Sequence, residues 1–353
     1  MQWNDEFTKR VGVSYPVVQA PMLGVTTPEM VAAVSNAGGL GSLPVGGLSP
    51  EKTRTLIQQT QRLTNKPFAV NLFTNSIPHF DCDEAAVMQE FLEKLCAEWQ
   101  IPFQRQKISE FRFYSYEDQI PLLLEHDIRL VSFTFGIPDE ASIRALKEKE
   151  VVLIGTATSV KEARLLKESK IDMITAQGIE AGGHRGSFLE EGPLPLVGTM
   201  TLVPEIARHT GLPVLAAGGI RDGNTIRAAF ALGAVAVQIG TAFIASEEAL
   251  AIPSYKTALQ TATDTDTVLT RAFTGRWARG IRNKLMEAIE QSGLPIPPYP
   301  IQNSLTTPLR EAARKKDNKE LINLWAGQSA FGAETGPAAA IFLRLVRETE
   351  AGE

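Results

Sequence analysis

The chain has 353 residues, 44% hydrophobic and 21% charged, with 35 Lys and Arg against 40 Asp and Glu for a net charge of −5. That is enough apolar matter for a real core, with room for two domains or one α/β barrel with additions. It excludes disordered, collagen-like and coiled-coil chains. A mildly acidic chain without a basic cluster is a poor partner for nucleic acid. Cys82 and Cys96 form no CxxC pair and lie in one helical stretch, so they read as free thiols of a cytoplasmic protein. The first ten residues are charged and lack the apolar segment of a signal peptide, and no apolar run is long enough to predict a membrane span.

Short β-branched apolar runs then alternate with helical patterns. PVVQAP (16–21) is followed by a helix that Thr27 can cap and Pro28 can start. LGSLP (40–44) precedes a helix capped by Ser49 and begun by Pro50, with Leu56 and Leu63 at helical spacing. The third run is PFAVNLF (67–73), after which a polar and aromatic excursion occupies about 74–118. The remaining runs are RLVSFTFG (129–136), VVLIGTA (151–157), IDMITAQG (171–178), LPVLAAGG (212–219) and AVAVQIG (234–240), the first, second and fourth followed directly by helical patterns. Continuous apolar strands mean burial on both faces, as in a parallel sheet covered by helices.

Eight such units predict a closed (β/α)8 TIM barrel over 1–250, whose catalytic groups stand on the loops after the strands. An open doubly wound sheet would bring a GxGxxG turn or a P-loop, and neither is present. Residues 251–353 break the rhythm and read as a C-terminal helical region that packs on the barrel.

The strand ends carry the polar groups. Asn71, Gln177 and Gln238 are three amides around one predicted rim, and an amide in a core must find partners. A flat ligand with ring nitrogens and carbonyls would supply them; the plain alternative is that they tie neighbouring loops together. Gly218-Gly219 and Gly240-Thr241 follow the last two strands. Glycine admits close approach of an anion, the helix start offers free N–H groups, and these loops are the usual phosphate cradle of the barrel.

The loop GIEAGGHRGSF (178–188) holds His184 among glycines beside Arg185. A histidine there can accept a proton or hydrogen-bond an anion. His79, His126 and His209 fall in the excursion, a helix-to-strand turn and a helix end. No metal-ligand spacing and no GxSxG elbow occur.

Taken in order, QAPM (19–22), MVAAVSNAGGLGSLP (30–44), FAVNLF (68–73), IGTATSVKEA (154–163), EAGGHRG (180–186), LAAGGI (215–220) and QIGTAF (238–243) resemble the bacterial nitronate monooxygenases, formerly 2-nitropropane dioxygenases. YPIQNSLT (299–306) and LWAGQ (324–328) resemble the class I branch. The resemblance implies a TIM barrel holding non-covalent FMN. By position, Asn71, Gln177, Gly182, Gly219, Gln238, Ile239, Gly240 and Thr241 would contact FMN, with Gly219, Gly240 and Thr241 at its phosphate. His184 would be the catalytic histidine, with Met22 and Tyr299 as further lining.

The implied reaction oxidises an alkyl nitronate, propionate 3-nitronate being the family's best-known substrate, with O2 to a carbonyl compound plus nitrite or nitrate, without NAD(P)H. Its partners are the nitronate and O2, with no metal, nucleic acid or membrane, and with a homodimer left open. The lysine that some class I members place near the nitro group aligns with no single position; Arg310, Lys315 and Lys316 of TTPLREAARKK stand as alternatives. The rival reading is an FMN-dependent enoyl-thioester reductase on the same barrel. An IMP-dehydrogenase-like barrel would need a nucleophilic cysteine after the sixth strand, where neither Cys82 nor Cys96 lies.

Overall fold

The computed structural model describes residues 3, 5–189 and 193–352. Part of the charged N-terminal stretch therefore lies outside the described residues. Eight parallel strands make the central sheet: β1 (Val17–Gln19), β2 (Gly41–Pro44), β3 (Phe68–Phe73), β4 (Leu130–Thr134), β5 (Val152–Ala157), β6 (Met173–Gln177), β8 (Val214–Ala217) and β9 (Ala236–Ile239). The seventh extended segment in chain order, β7 (Gly183–His184), stands outside this sheet. The hydrogen-bonded order runs β1-β9-β8-β6-β5-β4-β3-β2. A parallel bridge from Val18 to Leu40, with Gln19 N–H donating to Leu40 O at 2.9 Å, closes β1 onto β2. The result is the expected (β/α)8 barrel.

One inward side chain per strand fills the lower barrel: Val18, Leu40, Ala69, Leu130, Ile154, Met173, Leu215 and Ala236 form one buried cluster. Phe7 and Val11 of the helix Asp5–Val11 join that cluster and plug its base. The larger apolar cluster packs the outward strand faces against the helices. The expected helix starts form: Thr27 accepts the Met30 N–H and Ser49 accepts the Lys52 N–H, each followed by proline in the first turn.

The excursion after β3 holds the helix Cys82–Glu98, with Cys82 exposed and Cys96 buried. This helix packs on Ile301–Lys315 from the C-terminal region. That region is helical over Pro253–Thr261, Lys284–Gln291 and Ala338–Ala351 as well, but it also contributes β10 (Thr267–Thr270) and β11 (Ala278–Ile281). These two strands pair antiparallel, and β11 continues onto β7 with His184 opposite Ala278. Strands arise in a region expected to be helical because TVLT and ARGI flank a turn containing Gly275, a hairpin pattern. The last helix, Ala338–Ala351, packs against both Pro28–Asn36 and Gly223–Ala231 and so completes the outer ring of barrel helices.

Candidate active site

The period of two along a strand decides what faces the barrel mouth. Two residues above the apolar layer, the inward positions become polar: Asn71 follows Ala69, Ser132 follows Leu130, Thr156 follows Ile154 and Gln238 follows Ala236. Above them opens a cavity of about 610 Å³ at the C-terminal ends of the strands, within the usual range for small-molecule sites.

The three rim amides are used differently. Asn71 Nδ2 donates to Ser132 Oγ at 2.9 Å and Thr134 Oγ1 at 3.2 Å. Gln177 ties a loop: its Nε2 donates to the His184 carbonyl at 2.9 Å and its Oε1 accepts the Gly186 N–H at 2.8 Å. Gln238 lines the cavity with its side-chain amide bonded to none of the described residues. Gln19 faces outward and is fully buried; its Nε2 donates to Thr26 Oγ1 at 3.0 Å and its Oε1 accepts the Ser42 N–H of β2 at 3.2 Å, so it ties β1 to β2 and to the loop that follows β1.

His184 is held from two sides. Its Nε2 lies 2.9 Å from Thr274 Oγ1 on the turn between β10 and β11. Its ring sits among Phe135, Trp325 and Tyr299 at centroid distances of 5.6, 5.5 and 6.0 Å. Burial first, then the charges of Arg276 and Arg310, push its pKa down to about 3. The imidazole is therefore neutral at physiological pH, a hydrogen-bonding group rather than a strong base. Phe135 carries Arg276 over its ring at 4.0 Å and adopts φ +78°, an unusual conformation for a bulky residue.

The helix Ile301–Lys315 lies along the mouth and brings Arg310, alone of Arg310, Lys315 and Lys316, to the cavity. Arg310 lines the cavity, whereas Lys315 and Lys316 are exposed elsewhere. Arg310 Nη2 donates to Asn303 Oδ1 at 2.8 Å and Thr307 Oγ1 at 2.9 Å, and its Nη1 donates to Asn323 Oδ1 at 3.0 Å. All its hydrogen-bond partners are neutral. Burial and the neighbouring Arg314 lower its pKa to about 9. A positive charge in a cavity wall with only neutral partners favours an anion.

Beyond β8 and β9, Gly218 and Gly219 take φ +111° and +74°, conformations that suit glycine. Thr241 Oγ1 accepts the Gly327 N–H at 3.1 Å, which leaves its own hydrogen to donate. Ser329 Oγ donates to the Gly219 carbonyl at 3.0 Å.

Of the residues singled out from sequence, Met22, Asn71, Gln177, Gly182, His184, Gly219, Gln238, Gly240 and Thr241 all line this one cavity. Ile239 does not: it occupies the outward register between Gln238 and Gly240 and packs in the helix-covered core. Tyr299 stands in the aromatic wall against Phe73, Phe135 and His184 rather than on the cavity surface. Thr274, Asn303 and Asn323 were not singled out from sequence. They come from the segment after β9, where no strand period marks an inward face. No cluster of potential metal ligands occurs among the described residues, and no helix among them is long and apolar enough to cross a membrane.

A barrel whose mouth combines glycine turns, rim amides and a loop histidine is that of an enzyme suited to a flat phosphorylated ligand, and comparison with known proteins gives its class. Residues 4–348 match the family model described as nitronate monooxygenase, and the chain belongs to that family. A probable nitronate monooxygenase of Staphylococcus saprophyticus is 42% identical over 350 residues, covering 99% of this chain and 98% of the relative. One from Staphylococcus aureus is 41% identical over 348 residues, covering 98% of each. Among solved structures, a nitroalkane oxidase from Streptomyces ansochromogenes superposes with TM-score 0.89 at 34% identity, covering 98% of both chains. FabK from Thermotoga maritima superposes with TM-score 0.77 at 30% identity, covering 100% of this chain and 97% of that one. The protein is thus a flavin-dependent monooxygenase of the nitronate monooxygenase family.

Proposed function

We propose that the flavin is FMN, and that the enzyme oxidises an anionic alkyl nitronate with O2 to a carbonyl compound and nitrite or nitrate, without NAD(P)H. The observation that carries this reading is the meeting of a neutral imidazole, His184, with a cavity-lining guanidinium, Arg310, whose bonded partners are all uncharged. A nitronate arrives already deprotonated, so it needs an anion site and a hydrogen-bond donor or acceptor, not a strong base.

The residues present suit FMN: the free amide of Gln238 on the rim, the Gly218-Gly219 turn and the spare hydrogen of the Thr241 hydroxyl are the features a ring edge and a phosphate require. When bound, FMN supplies the electron-accepting chemistry. The chain supplies the rest. Asn71 and Gln238 would border the ring, and Gly219, Gly240 and Thr241 would hold the phosphate. Met22 and the aromatic wall containing Tyr299 keep water from the reacting carbon. Thr274 holds His184 Nε2, leaving Nδ1 as the ring atom available to substrate. Arg310 orients the anion. A nitronate with a second negative group, such as propionate 3-nitronate, would use both Arg310 and the adjacent Arg314, which also donates to Asn323 Oδ1 at 3.1 Å.

The test is to identify the flavin released from purified protein, then mix the enzyme anaerobically with propionate 3-nitronate. FMN and rapid bleaching of the flavin absorbance are expected. The alternative, enoyl-thioester reduction, shares its barrel type with FabK; bleaching by NADH with turnover of a crotonyl thioester, and none by the nitronate, would replace the proposal.

A further inference from the structure

We infer that Glu180 is a positioning residue for the phosphate cradle, an inference that rests on the FMN reading above. Glu180 lies in the histidine loop, yet its carboxylate bonds Thr199 and not His184. Its two oxygens accept the Thr199 N–H at 2.9 and 3.0 Å, and Oε2 lies 2.9 Å from Thr199 Oγ1. The same hydroxyl lies 3.0 Å from the carbonyl oxygen of Gly218. Thr199 begins the helix Thr199–Thr210, so the carboxylate already satisfies the first N–H of that helix. An incoming phosphate is left the turn at Gly219 and the hydroxyl of Thr241.

The Glu180 backbone completes the tie. Its carbonyl accepts the Gln328 N–H at 2.9 Å, and a Cβ on Gly327 would come within 2.8 Å of that oxygen. Gly327 in turn donates to Thr241, and Ser329 donates to the Gly219 carbonyl. One residue therefore braces the turn after β8 through its side chain. Through its main chain it braces the segment that holds both cradle positions. The cavity lining places Glu180 beside them: a Cβ on Gly219 would sit 3.6 Å from the Glu180 Cβ.

The test compares FMN with riboflavin, which lacks only the phosphate, by fluorescence titration of the flavin-stripped full chain. The native protein is expected to prefer FMN. Glu180→Ala should weaken FMN at least about tenfold while riboflavin stays within about twofold, because the lost hydrogen bonds reach the Gly218-Gly219 turn through Thr199 and none reaches a rim amide. Glu180→Gln keeps an acceptor for the Thr199 N–H and should recover most of the FMN affinity. If Glu180→Ala does not fold, Thr199→Val cuts the link to Gly218 and should show the same FMN-selective loss. Equal weakening of both flavins, or native FMN affinity in the variants, overturns the inference while leaving FMN as the cofactor. A native protein with no preference for FMN over riboflavin overturns the phosphate site itself.

Discussion

His184 Nε2 and Thr274 Oγ1 lie 2.9 Å apart, joining the loop after β6 to a turn ninety residues further on. The contact is more than a side-chain hydrogen bond. His184 and Ala278 are paired in the three-stranded sheet, so the imidazole's backbone and its ring are fixed by the same hairpin. The barrel offers the histidine from one side, and the segment inserted after β9 fixes its orientation from the other.

Thr274→Val keeps the volume at this position and removes the hydroxyl. The expected result is a fall in kcat of roughly threefold to tenfold, the worth of one net hydrogen bond, with flavin affinity unchanged. Steady-state kinetics with a nitronate, beside a flavin titration, checks it. Native kcat in the variant would show that the ring is held by its aromatic neighbours alone.

The lowered pKa of His184 has a consequence for stability. In the unfolded chain the ring titrates near 6.5, and in the folded protein near 3. Between these values the unfolded state binds a proton that the folded state refuses. Folding stability from this group is therefore complete above about pH 6.5 and is lost as pH falls toward 3, with a slope approaching about 1.4 kcal/mol per pH unit. Urea unfolding of the native protein and of His184→Gln at pH 7, 6, 5 and 4 reads it. The native protein should lose stability relative to the variant on acidification, and a constant difference would mean that the ring titrates normally.

The inward register of the strands made much of the site legible in the sequence. Asn71 and Gln238 lie two residues beyond the buried inward Ala69 and Ala236, so a strand reading places them at the mouth. The same period turns the Ile239 side chain outward into the helix-covered core. Gln177 turns out to support the histidine loop, the plain alternative for a rim amide, because the glycines of 178–188 leave that loop dependent on outside ties. The roof was less legible. Thr274, Arg310 and Asn323 meet only through tertiary packing of the hairpin on the helix Ile301–Lys315 and its neighbours, and β7 exists as a two-residue strand only because β11 pairs with it.

Neighbouring glycines of the histidine loop should respond unequally to alanine. A Cβ on Gly182 would fall 2.5 Å from the backbone of both Ala326 and Gly327, which cannot give way as a flexible side chain would. A Cβ on Gly183 would meet open space, and only its φ of +72° opposes it. Gly183→Ala should cost about 1–2 kcal/mol of unfolding free energy, the penalty of a left-handed conformation. Gly182→Ala should cost more, through backbone displacement, and should also disturb flavin binding. Chemical denaturation of both variants orders them; the reverse order would show that the loop and the 326–327 segment are free to part.

Arg310 separates recognition of the nitronate from recognition of its tail. Arg310→Lys keeps the charge but loses the fork that grips Asn303, Thr307 and Asn323 together. Arg310→Met keeps the length and removes the charge. If the guanidinium anchors an anion, KM for propionate 3-nitronate should rise at least about tenfold in Arg310→Met, in keeping with about 1.5–3 kcal/mol for a hydrogen bond to a charged group. Arg310→Lys should fall between the two. An uncharged-tail nitronate such as propyl-2-nitronate then tells which end is held. An equal rise for both substrates places Arg310 at the nitronate group, and a rise confined to the carboxylate-bearing substrate places it at the tail. Unchanged KM for both would remove Arg310 from substrate binding and leave it as the brace between the helix Ile301–Lys315 and Asn323.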